Sequence, residues 1–381
     1  MKRRSFLTTG TAALATPALL RAQTVTSVIV IGGGSAGMTA ADRLIEAGVD
    51  VILLEAMDRL GGRMDRDTSL ADFPIDLGAE WIHDDPEVLG DILGNGWTET
   101  DVRTIVYQPQ TYQVYGKDTL KDRNFYRFGY AETKFFDSTW YGFFERFVMP
   151  SILPNVRLNT AVQRIELTPT GVRAIAQTGE VFEADRVIVT TPISVLQSGQ
   201  LDISANIATW REDALSEVGF GEGFKLFLKF AEQFYPDMLV QEGIWDLLDD
   251  TWDSKLYYNA AFGKETNDNV LGLFNVDQID LPWSKLSQGQ LIDAVLDELD
   301  DIYDGIARPL FQGAVVRNWS QTPFINGSYS MDNESDFNIA EILAPIEGRI
   351  HFAGEALGGN AQSTVHGAAY SAINVVEEIL G

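Results

Sequence analysis

The stretch that decides the fold runs from Ser27 to Arg63 and reads SVIVIGGGSAGMTAADRLIEAGVDVILLEAMDRLGGR. Val28 to Ile31 is a short apolar run typical of a buried parallel strand. Ala36 to Ala47 then continues at helical spacing, and a second apolar run, Val51 to Leu54, ends on Glu55. With a G-x-G-x-x-G turn between the first strand and the helix, this order predicts an α/β dinucleotide-binding unit.

Each glycine of that turn has its own predicted role: a tight turn, close approach of the backbone to a pyrophosphate, and close helix–strand contact. The free N–H groups at the helix start favour phosphate, and Glu55 lies where a carboxylate would bind ribose hydroxyls. A glycine-rich turn in an α/β domain without a ligand is the alternative. The predicted cofactor contacts in this unit are Gly32, Gly34, Ser35, Ala36, Gly37, Glu55 and Ala56.

The residues just after Glu55 indicate whether the bound dinucleotide carries a nicotinamide or a flavin. They form R-x-G-G-R, with Arg59, Gly61, Gly62 and Arg63. Two glycines let the backbone pass close to a ligand, and two guanidinium groups suit a pyrophosphate or the edge of a flavin ring. The motif therefore favours a flavin dinucleotide.

On these residues the chain resembles the flavin-containing amine oxidase family, which includes monoamine oxidases, polyamine oxidases and histone lysine demethylases. Further segments match its FAD motifs in order: 76–83 (DLGAEWIH), 156–162, 184–192, 351–355 and 364–368. The similarity is looser between positions 84 and 150. The resemblance implies FAD contacts at Gly78, Ala79, Glu80, Trp81, Val162, Thr191, Gly354, Glu355, Thr364 and Val365.

The domain organisation implied by the resemblance is a Rossmann-like FAD-binding domain interleaved with an α+β substrate domain. FAD-binding segments are expected at 24–83, 152–214 and 345–381, and substrate segments at 84–151 and 215–344. Local patterns predict a strand over Phe224 to Phe230 and a helix around Leu291 to Leu299. They also predict a closing helix over Thr364 to Leu380.

The chemistry implied by the resemblance is FAD-dependent oxidation of an amine C–N bond to an imine, with hydride transfer to flavin N5 and imine hydrolysis. Lys225 matches a flavin-facing lysine that would hold a water near N5. Tyr329 matches the first wall of an aromatic cage, and Thr364 replaces the tyrosine of the second wall. Only one of the two aromatic walls is therefore expected, which leaves room for a substrate bulkier than an arylalkyl amine.

Three more positions bear on the site. Ser328 matches the position of the flavin-linking cysteine of monoamine oxidases, so the resemblance implies noncovalent FAD. His83 matches a polyamine-oxidase histidine near the substrate, and a structural histidine is the alternative. Trp319 is either a wall of the site or a core residue. The aromatic residues of 84–151, including Tyr107, Tyr112 and the run Phe135 to Phe147, suit an open cleft or, by the usual behaviour of such residues, the core.

The charge balance limits the partners. With 28 basic and 55 acidic residues the net charge is −27, which argues against nucleic acid or an anionic membrane as a partner. Negative potential that attracts cationic amines and a strongly solvated surface are both consistent with it. The absence of cysteine excludes thiolate-bound zinc, a thiol nucleophile, disulfides and a thioether bond to flavin. No metal site is predicted.

The first 22 residues have the features of a twin-arginine export signal: basic Lys2-Arg3-Arg4, a short apolar run, and Ala22 for cleavage. Pro17 and several threonines disfavour a membrane anchor, which needs about 20 apolar residues. The sequence thus predicts a periplasmic or secreted protein that is exported already folded.

Several alternatives remain at the level of sequence. The electron acceptor is oxygen, or a periplasmic cytochrome or quinone. An amino-acid oxidase or carbon–carbon dehydrogenase on the same scaffold is the nearest rival activity, although no arginine is singled out for a substrate carboxylate. A catalytically silent exported flavoprotein is a third interpretation. The shortened 84–151 region is a candidate homodimer surface or docking face for an acceptor.

Overall fold

The computed structural model describes residues 25–94, 102–116, 119–124, 131–203, 207–241, 254–276, 282–333 and 335–381. The predicted export signal lies outside these residues. No helix within the described ranges is long and apolar enough to span a bilayer.

The strands of the described residues follow one another along the chain as short and medium-length segments. They are β1 (Ser27–Ile31), β2 (Asp50–Leu54), β3 (Arg66–Asp67), β4 (Ile75–Asp76), β5 (Trp81–Ile82), β6 (Thr104–Tyr107), β7 (Tyr112–Gly116), β8 (Thr119–Asp122), β9 (Glu132–Phe135), β10 (Val156–Arg157), β11 (Val162–Leu167), β12 (Val172–Ala176), β13 (Val181–Ala184), β14 (Arg186–Val189), β15 (Val218–Phe220), β16 (Gly223–Phe230), β17 (Met238–Gln241), β18 (Ser254–Asn259), β19 (Asn269–Val276), β20 (Phe311–Asn318), β21 (Ser330–Asn333) and β22 (Ile350–Phe352).

The α-helices vary from single turns to sixteen residues. They are α1 (Ser35–Glu46), α2 (Val88–Leu93), α3 (Trp140–Phe147), α4 (Met149–Ile152), α5 (Ile193–Gln197), α6 (Thr209–Ser216), α7 (Gln288–Ile302), α8 (Ala307–Leu310), α9 (Ile339–Ile342) and α10 (Val365–Leu380).

A five-stranded parallel sheet of order β10–β2–β1–β14–β22 forms the first layer. Its central strand is paired on both sides, with Ile29 opposite Ile52 and Val187. Strands buried on both faces are continuously apolar, which is why Val28 to Ile31 shows no alternation. Helices α1 and α10 pack together against this sheet. The predicted strand–helix–strand unit is thereby confirmed.

A seven-stranded sheet of order β20–β16–β19–β18–β17–β7–β8 forms the second large layer. In β16, Phe224, Leu226 and Leu228 belong to the core that α7 covers, whereas Phe227 lies in the core on the other face. Because side chains alternate along a strand, Lys225 shares the face of Phe227, away from α7. The predicted strand and the helix around Leu291 to Leu299 are both confirmed.

The strands of the parallel sheet all come from 24–83, 152–214 and 345–381, and those of the seven-stranded sheet from 84–151 and 215–344. Most aromatic residues in the described part of 84–151 are buried, whereas Phe136, Tyr141 and Phe147 are partly exposed. Tyr107 and Tyr112 lie in one core cluster, and Phe135, Phe143 and Phe144 lie in another. The core interpretation is confirmed for these buried residues, and none of them lines the cavity described below.

Candidate active site

A cavity of about 880 Å³ lies where the carboxyl ends of the parallel strands meet the seven-stranded sheet. It brings together residues separated by more than 300 positions in the chain. The predicted residues that line it are Gly32, Gly34, Ser35, Ala36, Glu55, Ala56, Gly61, Gly62, Arg63, Gly78, Ala79, Glu80, Trp81, His83, Val162, Thr191, Lys225, Trp319, Tyr329, Gly354, Glu355, Thr364 and Val365.

The glycine turn fits a ligand that approaches the backbone. A Cβ added at Gly34 would meet no described atom within 4 Å, so this position opens directly into the cavity. No described side chain caps α1 at this residue, which leaves the first-turn N–H groups of the helix for a ligand. An anion such as a pyrophosphate satisfies those groups and complements the positive end of the helix dipole.

Gly37 has a packing role. A Cβ at this position would overlap the carbonyl oxygen of Gly32 and approach the Thr190 hydroxyl. Gly37 therefore does not line the cavity itself; it lets α1 lie directly against the strand end that carries the turn, as the third glycine of the motif is expected to do.

Glu55 is buried at the end of β2 and lines the cavity. Its Oε2 accepts from Gly33 N at 2.5 Å and its Oε1 from Met57 N at 2.8 Å. Burial raises the pKa of Glu55, although these backbone bonds and the charge of Arg59 oppose that rise. A carboxylate has about four lone-pair sites, so acceptor capacity remains to bind a hydroxyl group of a ribose.

The two arginines of the R-x-G-G-R motif separate. Arg63 lines the cavity and donates from Nη1 to Ser328 O at 2.9 Å and to Glu355 Oε1 at 3.0 Å. Arg59 instead donates to carbonyls of its own loop, those of Leu60, Gly62 and Met64. The prediction that Arg59 faces a cofactor does not match this geometry. The Arg59 guanidinium binds carbonyl groups of its own loop and so stabilises the conformation of Gly61 and Gly62.

Glu355 connects two of the predicted flavin segments. Besides Arg63, it accepts from Ser330 N at 3.1 Å and from Ser330 Oγ at 2.6 Å. Its carboxylate therefore joins the R-x-G-G-R loop to β21 while one edge of the residue faces the cavity.

Two buried oxygens at the cavity have no hydrogen-bond partner within the described part of the chain. They are Thr191 Oγ1 and Gln200 Oε1. A buried polar atom without a partner is costly, so both atoms indicate a polar ligand. The open glycine turn, the remaining acceptors of Glu55 and these orphaned oxygens together fit a bound dinucleotide such as FAD.

Lys225 is 2% exposed and lines the cavity. Its Nζ donates to Glu80 Oε2 at 2.6 Å, to Asp76 O at 3.1 Å and to Gly78 O at 3.2 Å. A lysine ammonium has three donors, so protein acceptors engage all of them. Glu80, expected only as a cofactor contact, binds one of the three donors, and the water molecule expected near Lys225 remains a prediction.

Ser328, Tyr329 and Thr364 all line the cavity. Ser328 Oγ lies 3.0 Å from Gly221 O. Thr364 is the N-cap of α10: its hydroxyl accepts from Gly367 N at 2.9 Å and donates to Ala361 O at 2.7 Å. A short capping side chain therefore forms this part of the cavity wall.

Trp319 combines the two roles that the sequence left open. It is 4% exposed and lines the cavity, and its indole N–H donates to Leu77 O at 2.9 Å. A Cβ at Gly78 would press against the indole ring. Trp319 therefore supports the segment 76–80, whose carbonyls bind Lys225.

His83 lies beside a carboxylate that sequence reasoning missed. Its Nδ1 is 3.1 Å from Glu132 Oε1, and both residues line the cavity while remaining partly exposed. Leu256, Phe274 and Val276 of the seven-stranded sheet add apolar walls. No motif marks these residues, because they reach the cavity only through the pairing of strands that are distant in sequence. The short apolar runs at 256–258 and 270–274 predict buried strands and are the signal in the sequence that could have indicated this wall.

The sequence profile of the flavin containing amine oxidoreductases matches residues 35–131 and 154–380. This chain therefore belongs to that family and is an FAD-dependent amine oxidoreductase. It is similar to polyamine oxidase 4 of Oryza sativa subsp. japonica, at 24% identity over 92% of this chain and 88% of that protein. Polyamine oxidase 1 of Zea mays is 22% identical, over 93% of this chain and 90% of that protein.

A histone demethylase-like protein A of Aspergillus fumigatus is 28% identical, over 59% of this chain and 22% of that protein. Among solved structures, a putrescine oxidase bound to putrescine superimposes with a TM-score of 0.75 at 14% identity, covering 93% of this chain and 99% of that one. The similarity in fold confirms the predicted combination of an FAD-binding α/β unit and a mixed second unit.

Proposed function

We propose that this enzyme oxidises a di- or polyamine, with Glu132 binding a distal ammonium group while the reacting C–N bond lies beside Tyr329. Four glutamates line the cavity within the described residues. Glu55, Glu80 and Glu355 are buried and bonded to backbone N–H groups, lysine or arginine. Glu132 is partly exposed and pairs with His83, so it is the carboxylate that remains available to a cationic substrate.

The cavity walls support the chemistry at the other end of such a substrate. Bound FAD supplies the acceptor for the hydride lost from the carbon beside nitrogen. Leu256, Phe274 and Val276 exclude water, and an apolar environment lowers the pKa of an amine and so favours its uncharged form. The Tyr329 ring offers an apolar face to guide the nitrogen, and the space beside Thr364 admits an extended chain.

The same arrangement disfavours an amino acid as the substrate. Arg63 is the arginine that lines the described cavity, and its guanidinium is already bonded to Glu355 and to Ser328 O. A substrate carboxylate placed near Glu132 would be repelled. Similarity to polyamine oxidases and to a putrescine oxidase supports the diamine assignment as well.

The test is an anaerobic panel of putrescine, spermidine, spermine, butylamine, benzylamine and amino acids, with reduction of the flavin followed by its visible absorbance. We expect rapid bleaching by diamines or polyamines. Glu132→Gln should raise the KM for putrescine about tenfold, an effect of about 1.4 kcal/mol, and leave that for butylamine nearly unchanged. Equal effects on both amines would reject Glu132 as the distal site, and no bleaching by any amine would reject the function.

We propose further that FAD is bound noncovalently, because the chain has no cysteine and Ser328 occupies the position of the linking residue. Denaturation with trichloroacetic acid should release all of the flavin into the supernatant. Flavin that remains with the precipitated protein would contradict this.

We also propose that residues 1–22 direct export of the folded enzyme through the twin-arginine route, supported by Arg3 and Arg4. In a bacterial host, the double variant Arg3→Lys, Arg4→Lys should retain the full chain in the cytoplasm, whereas the unaltered chain reaches the periplasm.

With oxygen as acceptor, turnover should yield one hydrogen peroxide per imine. Turnover without peroxide, and only with an added cytochrome or quinone, would identify a dehydrogenase.

A further inference from the structure

We propose that Glu80 and Lys134 are positioning residues for Lys225, and that together they hold its ammonium at the cavity wall as a fixed positive charge whose donors are all engaged. In this arrangement Lys225 presents a fixed positive charge to the bound flavin. The proposal is independent of which amine the enzyme oxidises.

The first observation is the position of Glu80 between two lysines. Its Oε2 lies 2.6 Å from Lys225 Nζ, and its Oε1 lies 3.7 Å from Lys134 Nζ. The Tyr258 hydroxyl donates to the same Oε2. All four side chains are almost completely buried, so water does not screen their charges and the interactions are strong.

The second observation is the environment of Lys134. Its Nζ donates to Ala260 O at 3.1 Å and lies 5.0 Å from the centre of the Tyr107 ring and 5.6 Å from that of Trp81. Aromatic faces stabilise a cation at these distances. Lys134 does not line the described cavity, and its contacts with residues that do are Trp81 and the charged Glu80.

The charges of the cluster follow from its geometry. Burial alone would raise the pKa of Glu80, but Lys225 and then Lys134 outweigh burial and lower it. Burial, and then the charge of Glu80, raise the pKa of Asp76 well above its usual range. Glu80 is therefore the carboxylate that carries the charge, and it balances one of the two lysines.

Lys134 is a group of this cluster whose charge changes within the range of ordinary measurements. Burial lowers its pKa to about 8, although the charge of Glu80 opposes this, and Lys264 and Lys225 contribute to the lowering. The Lys264 ammonium itself is held by the carbonyls of Phe135 and Phe136. Below about pH 8 the cluster thus carries one more positive charge than above it.

The experiment measures the midpoint reduction potential of the bound flavin against a reference dye, without any amine, in the purified holoenzyme from about pH 6 to pH 9. A positive charge beside the flavin favours the reduced, more negative form and raises this potential. The Lys134→Met potential should therefore lie below that of the wild type at pH 6 and approach it towards pH 9, where most Lys134 is neutral.

Glu80→Gln keeps an acceptor for Lys225 but removes the negative charge. Its potential should lie above that of the wild type, because a negative charge that offsets the two lysines is removed. Tyr258→Phe is the matched control: it removes a hydrogen bond to Glu80 without changing a charge, and its curve should keep the wild-type shape.

A Glu80→Gln curve that superimposes on the wild type, or a Lys134→Met curve displaced equally at every pH, would overturn the proposal. If Lys134→Met does not retain flavin, the comparison of the flavin potentials of Glu80→Gln and Tyr258→Phe is sufficient to test the proposal. Because no amine is present, failure here is distinct from failure of the proposed substrate class.

Discussion

Ser35 and Val365 join the starts of two helices that are 330 positions apart in the chain: the Ser35 hydroxyl donates to the Val365 carbonyl oxygen at 2.8 Å. Ser35 opens α1 and Val365 opens α10, and both residues line the cavity. One buried hydrogen bond thus aligns two helix N-termini, each a favourable place for negative charge, at the same cavity.

Replacing Ser35 with alanine should weaken that alignment. We expect a loss of about 1 kcal/mol in the free energy of unfolding, the usual contribution of such a bond, and a weaker affinity for FAD. Thermal unfolding of the holoenzyme and flavin titration of the apoprotein measure the two effects. Ser69→Ala, which removes an exposed hydroxyl bonded to Asp67, is the control and should change neither quantity.

Gly37→Ala should prevent flavin binding. The added Cβ would overlap the Gly32 carbonyl oxygen, and backbone cannot yield as a flexible side chain can. We expect a protein purified without visible flavin absorbance and with a lower unfolding temperature. Gly289→Ala in α7 is the matched control: its Cβ meets no described atom within 4 Å, so we expect unchanged flavin and a gain of up to about 1 kcal/mol in helix stability. A yellow Gly37→Ala protein would contradict the packing role.

Thr364→Ala should destabilise α10. The hydroxyl caps the helix through Gly367 N and also donates to Ala361 O, so its removal should cost about 1 kcal/mol. Thr364→Ser keeps the hydroxyl and should retain most of this stability. Chemical denaturation of the wild type and the two variants measures their free energies of unfolding. Equal losses for Thr364→Ala and Thr364→Ser would show that the methyl group, and not the capping hydroxyl, stabilises the helix.

His351 should make the protein less stable in acid. Burial lowers its pKa below 6.5, although the charge of Glu378 opposes this. The unfolded chain therefore binds a proton at the imidazole more tightly than the folded chain does. The contribution of neutral His351 to the free energy of unfolding is present above about pH 6.5, and it is lost as the pH falls through the pKa of the folded state. The difference in unfolding temperature between His351→Leu and the wild type should shift in favour of the variant from pH 7.5 to pH 5. A difference that does not depend on pH would show that His351 does not titrate on unfolding.

The sequence by itself was sufficient for the local units whose residues are neighbours in the chain. The glycine turn, α1, β2 and Glu55 follow from spacing within 37 residues, since strand, turn and helix each have a periodicity that a short window contains. The resemblance extended this to the cofactor: apart from Gly37 and Arg59, every residue predicted to contact it or to take part in the reaction lines the cavity.

The tertiary structure alone decided what each charged group binds. Arg59 and Arg63 are equivalent in the motif, yet one holds its own loop and the other reaches Glu355. Glu80, Lys134 and Lys225 lie up to 145 positions apart and meet because β16, β9 and the segment after β4 converge in one dry interior. Charge pairing in a buried region depends on distances of a few ångströms and on the exclusion of water, and neither quantity is a property of residues read in order.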